Sequence, residues 1–162
     1  MRLLQSLAAG FAGSIALTIT HQVLHRLLED APRMDLMGAE ALKDLADKAG
    51  KRIPPDKLYN ITLAGDILSN GFYYSLAGIG DPKHATLRGT LIGLAAGVGG
   101  VYLPKHLGLN EDYSNRTTTT RLLTIGIYTL GGFIAGKIIC AQAKKRLKAS
   151  RVTDVQTRLD AY

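Results

Sequence analysis

The sequence predicts an all-α fold: a polytopic membrane protein built as a four-transmembrane-helix bundle, with a short amphipathic helix between spans one and two. Three observations predict it. Stretches 3–20, 58–80, 89–103 and 122–136 are nearly free of charge and rich in Gly, Ala, Leu and Ile, and a membrane-spanning helix needs about 20 mostly apolar residues. The mean hydropathy is only +0.08, yet most of the charge sits in 29–57 and 141–160, so the polar residues lie between and after the spans. Finally, the 89–103 stretch holds five glycines and no charge. A helix of a water-soluble bundle would set an apolar face against a charged one, and interior glycines would cost it about 1 kcal/mol each relative to Ala. In lipid, small residues instead let helices approach closely.

The spans are expected at about 3–28, 58–79, 84–103 and 116–141, within one transmembrane domain of residues 1–150. A basic polar tail, 151–162, follows. The apolar run after Arg2 has a leader-like look but is read as the first span, with Gly10, Gly13, Ser14 and Ala16 as a packing face. Pro32 ends that helix. Asp35 is then placed to cap an amphipathic helix over about 36–49, whose Leu42, Leu45, Ala46 and Ala49 oppose Glu40, Lys43, Asp44, Asp47 and Lys48.

Pro54 and Pro55 break the chain, and Asp56 is expected to cap the second span. Asp81 followed by Pro82 starts the third. The connection before it is so short that spans two and three are expected to be antiparallel neighbours. Pro104 closes the third span, and Ser114 or Asn115 can cap the fourth. Beyond Lys137 the last helix becomes basic.

Orientation follows from Lys and Arg near span ends, and these divide evenly between the two sides. The dense cluster Lys144, Lys145, Arg146 and Lys148 favours cytoplasmic termini in a multi-pass protein of the cell membrane. The even division is also what a chain inserting both ways would show. That cluster directly follows a span, so the net charge of +7 points to anionic lipid head groups as partners of the tail. Nucleic acid is not expected, because no aromatic residues are interleaved with the charges. The single cysteine, Cys140, allows no internal disulfide.

Asp66 is the residue that stands out, since an ionisable side chain inside a span costs several kcal/mol unless paired or hydrated. Asn70 shares its face one turn on. His21 and His25 are also one turn apart, on the first helix. At 1.5 Å rise per residue, His21 lies about 10 Å and Asp66 about 12 Å below the same surface, and Tyr128 reaches a similar level on the fourth span. Tyr102 and His106 end the third span near that face.

Three chemistries suit this polar layer. His21 and Asp66 can satisfy each other and pin two helices together. His21, His25, Asp66, Asn70 and Tyr128 can form a proton, ion or ligand site, since His titrates near neutrality. His21, His25 and Asp66 can hold a metal, zinc or iron. No HExxH, GxSxG or phosphate-binding loop occurs, so no catalytic residue is assigned and a non-enzymatic role is favoured. The expected function is transport or permeation of protons, ions or a small solute, with a homo-oligomer as a working form. The alternatives are a non-catalytic membrane scaffold or partner subunit, and a metal-binding membrane protein.

Overall fold

The computed structural model describes residues 2–159, with side chains over 3–150. Its helices are α1 (Arg2–Leu27), α2 (Met34–Lys48), α3 (Pro55–Ser75), α4 (Ala85–His106), α5 (Asp112–Asn115) and α6 (Thr118–Leu159), with 3-10 turns at Leu76–Gly78 and Pro82–His84 between α3 and α4. Among the described residues there is no strand. Three helices there are long and apolar enough to cross a membrane: Leu3–Leu27, Pro82–His106 and Thr118–Ser150. The second expected span, 58–79, falls on α3, whose apolar run is interrupted by Asn60, Asp66, Ser69 and Asn70.

The packing reverses the arrangement of a water-soluble bundle. Along α4, Leu87, Leu91, Leu94, Val98 and Tyr102 all point outward and are exposed. The opposite face, Gly89, Gly93 and Gly97, is buried. Similar outward stripes run along α1 through Ile15, Ile19 and Val23, and along α3 through Leu68 and Phe72 to Leu76 of the turn that follows it. The interior is filled largely by small or hydroxyl side chains, with Ser14, Thr120 and Thr124 buried beside Ala9, Ala85 and Ala135. Most bulky apolar groups face outward, while Leu17, Met37, Tyr74, Val101, Ile127 and Ile139 are buried among the small ones. Such a surface is compatible with a membrane protein and with the small-residue contacts that hold helices together in lipid.

Glycine geometry decides which helices pair. A Cβ at Gly93 would meet the Tyr128 carbonyl oxygen at 2.5 Å and the Thr129 Cα at 2.8 Å, and one at Gly97 would meet the Ile125 Cα at 2.7 Å. Gly89 and Gly132 touch backbone to backbone. Hence α4 lies antiparallel along α6 in the most extensive contact of the fold, while α3 packs on α1 and α1 on α6. On α1, Gly10 abuts Gly71 and Gly13 abuts Gly131, and the Ser14 hydroxyl donates to the Ile67 carbonyl at 3.0 Å.

The expectation that the second and third spans pack as neighbours is therefore corrected. Their connection is short, yet α3 and α4 touch only slightly. The glycine faces take α4 to α6, and an open cleft is left between α3 and α4.

Several ends also differ from the sequence reading. Helix α2 begins at Met34 with no side-chain cap, and Asp35 lies within its first turn. There the Arg33 Nε and Nη2 donate to the two Asp35 carboxylate oxygens at 3.1 and 3.0 Å. At α3 the cap position is Pro54 and Asp56 lies in the first turn. Asp81 does cap, accepting from the Lys83 backbone N–H at 2.9 Å. Pro104 does not stop α4, which runs on to His106. Helix α6 continues unbroken through the basic cluster to Leu159, and the side chains of the expected 151–162 tail lie outside the described residues.

Connections at the end of the bundle shared by the α1 C-terminus and the α6 N-terminus are tied down by polar contacts. The Arg33 N–H donates to the Tyr113 carbonyl at 2.7 Å, Arg116 donates to the Glu29 carbonyl at 2.7 Å, and the Thr120 hydroxyl donates to the Asp30 carbonyl at 2.9 Å. Helix α2 is thereby held beside α3, with Met37 buried.

Candidate functional site

A cavity of about 240 Å³ opens between α1 and α3, under the start of α2. Thr62, Asp66 and Asn70 line it from one face of α3, because positions i, i+4 and i+8 stack on the same side of a helix. From α1 come Leu17 and Thr18 at the deepest level and then His21, with His25 and Arg26 at the rim; Tyr128 reaches in from α6 and Met34 and Asp35 from α2. His21, His25, Asp66, Asn70 and Tyr128 all line this one cavity. Tyr102 and His106 do not. Tyr102 is exposed on the outer face of α4, and the His106 Nδ1–H donates to the Tyr102 carbonyl one turn back, at 3.0 Å.

His21 and Asp66 are not partners. The buried His21 Nε2–H donates to the Pro32 carbonyl at 2.8 Å, which ties α1 to the loop before α2 and leaves Nδ1 as the acceptor nitrogen. Near Asp66 the bonds go to the main chain: the Asn70 amide donates to the Asp66 backbone carbonyl at 3.0 Å and the Ser69 hydroxyl to the same atom at 3.3 Å. The Asp66 carboxylate has neither a hydrogen bond nor an ion pair among the described residues. A Cβ at Gly38 of α2 would lie 3.6 and 3.7 Å from its two oxygens, so α2 approaches the carboxylate without offering it a donor.

Thr62 was absent from the sequence reading of the site. Its hydroxyl is buried with no hydrogen-bond partner, although Thr20, Thr90, Thr124 and Thr129 each donate to the carbonyl four residues back. Its position one turn before Asp66 was the available signal. Gln22 and Tyr59 were also missed, and the Gln22 amide reaches the Tyr59 hydroxyl at 3.5 Å near the rim.

At the mouth, burial opposes the charge on Asp35, and the hydrogen bonds and charge of Arg33 outweigh it, holding the carboxyl below the usual carboxylate range. The Asp35 charge is thus engaged by Arg33. Arg26 and His25 stand at the same rim.

Among the described residues no three His, Cys, Asp or Glu side chains gather so as to hold a metal ion. His21, His25 and Asp66 share a cavity without forming such a group. Away from the α2 end the bundle closes through Ala9, Ala77, Ala85 and Ile139. Tyr74 crosses from α3 to α6, donating from its hydroxyl to the Tyr128 carbonyl at 2.9 Å. Lys144, Lys145 and Lys148 are exposed and Arg146 is half-buried on the far extension of α6, so the basic cluster and the cavity lie at opposite ends.

Comparison with protein-family models, curated proteins and solved structures finds no match to this chain.

Proposed function

We propose that α1, α3, α4 and α6 all cross the bilayer of the cell membrane, and that the cavity between α1 and α3 receives a proton, ion or small solute for transport or permeation. One observation carries this reading: the Asp66 carboxylate stands in the cavity without an internal partner, one turn from the unpartnered Thr62 hydroxyl. An ionisable group at such a depth needs compensation, and a bound cation, solute or water column supplies it. The outward apolar stripes support the membrane setting, with Leu87, Leu91, Leu94 and Val98 outward and Gly89, Gly93 and Gly97 inward on α4.

In this arrangement the termini share one side, assigned here to the cytoplasm because the exposed lysines of α6 suit anionic head groups. The scaffold alternative is weaker. Its Gly-rich faces are already engaged within the chain, Gly89, Gly93 and Gly97 against α6 and Gly10 and Gly13 against α3 and α6.

Flux into liposomes holding the purified chain, measured for protons, monovalent cations and small organic cations, tests the proposal. The wild type is expected to pass at least one of these and Asp66→Asn to lose that flux while eluting and unfolding like the wild type. Equal flux through both proteins, or none through the wild type, contradicts it.

A further inference from the structure

The cleft left between α3 and α4 shares a wall with the cavity. Asn70 lines both, facing the polar cavity toward Asp66 and the cleft toward Ala95, Ala96 and Gly99 of α4. The cleft has a volume of about 500 Å³, and no charged side chain lines it. The rim of the cavity is different. Arg26 stands there, and the Arg33–Asp35 pair at 3.0 Å leaves no free carboxylate to offset its charge.

A cation approaching Asp66 through that rim meets the Arg26 guanidinium, whereas the uncharged cleft opens sideways between two helices whose outer faces are apolar. Within the site the charges favour a cation: the Asp66 carboxylate is unengaged, the Asn70 amide is turned back to its own helix at 3.0 Å, and the Thr62 hydroxyl is an unused hydrogen-bond group one turn away.

We infer that the cavity and the cleft form one site for an amphipathic organic cation taken from the bilayer, its head group at Asp66 and Thr62 and its apolar chain passing Asn70 into the cleft between α3 and α4. This rests on the solute-binding reading of the cavity and names the substrate class. The head is recognised by charge and by the polar face of α3. The chain is recognised by shape, in a groove whose α4 wall runs from Ala95, Ala96, Gly99 and Gly100 to Leu103 and Pro104. Membrane partitioning supplies the ligand, so apparent affinity rises with chain length by about fourfold per methylene.

Binding of radiolabelled tetramethylammonium and decyltrimethylammonium to the full chain in phosphatidylcholine nanodiscs, with empty nanodiscs as background, tests the inference. Asp66→Asn removes the charge and keeps the shape; Ala96→Phe fills the cleft, and Ala95→Phe fills it from an exposed position should the first variant fail to fold. Asp66→Asn is expected to weaken both ligands by about tenfold or more, as for loss of a charged partner. The cleft variants are expected to weaken decyltrimethylammonium by at least about fivefold and leave tetramethylammonium unchanged.

If Asp66→Asn weakens both ligands but neither folded cleft variant affects the decyl ligand to that extent, the amphiphile site is overturned while the cavity reading stands. If Asp66→Asn leaves both ligands unchanged, both are overturned. Decanoate binding as tightly as decyltrimethylammonium overturns the assignment to cations.

Discussion

Replacing Gly132 with Ala tests whether backbone contact between α4 and α6 holds the bundle together. A Cβ at this position would lie 2.9 Å from the Gly93 N and 3.0 Å from the Gly93 Cα, with the Gly89 carbonyl oxygen closer still. All three are backbone atoms and cannot rotate away. Restoring ordinary carbon contacts of about 3.5–4.0 Å requires the two helices to part by about 0.5–1 Å. Overpacking of this kind costs about 1–3 kcal/mol, and contacts are lost above and below the new methyl group. The Ala propensity gain, at most about 1 kcal/mol, offsets only part of this.

Gly126 lies on the same helix, and a Cβ there would meet nothing within 4 Å. Gly132→Ala is therefore expected to lose about 2 kcal/mol, while Gly126→Ala is neutral or gains up to about 1 kcal/mol. Reversible unfolding in mixed micelles, followed by helical circular dichroism, reads both. Gly132→Ala as stable as the wild type, or the two variants equally destabilised, refutes the argument.

Two further outcomes follow from the polar groups. Thr62→Val keeps the shape but removes a hydroxyl with no partner, so stability is expected to rise by about 1 kcal/mol while cation binding weakens; a loss of stability in unfolding measurements would show that the hydroxyl is engaged. Because the Asp35 carboxyl is held below its ordinary range, its contribution is fully present above the unfolded value of about 3.9 and is lost as pH falls through the lower folded value. An acid titration of stability is thus expected to lose part of its decline in that window in Asp35→Asn, and superimposable acid limbs would contradict the role of the Arg33–Asp35 pair.

The helices α1, α4 and α6 are legible in the sequence because their charge-free runs are long and end in Pro or charged residues. Rise per residue places His21, Asp66 and Tyr128 at one level, and the fold brings all three to one cavity. Rotation and partner choice are harder to read. Tyr102 follows the buried Val101 by one residue, which turns it about 100° around the helix and outward. Packing of α4 on α6 depends on glycines 89, 93 and 97 meeting backbone on the other helix, a match between surfaces far apart in the chain. The His21 partner is the Pro32 carbonyl, and no side-chain pattern announces a main-chain acceptor. Asp35 was placed as a cap by its position, but Arg33 two residues earlier offers a two-pronged partner that a backbone N–H does not.

Whether lipid surrounds these helices is tested most directly at α3. In a Cys140→Ser background, cysteines at Leu68 and Phe72 of α3 and at Leu94 of α4 are compared with cysteines at Lys51 and Lys83, using a membrane-impermeant maleimide on sealed vesicles. The α3 and α4 positions are expected to stay unlabelled until detergent is added, and Lys51 and Lys83 to be labelled from opposite sides. Labelling of Leu68 and Phe72 in intact vesicles as fast as Lys51, or of Lys51 and Lys83 from the same side, would contradict the lipid setting.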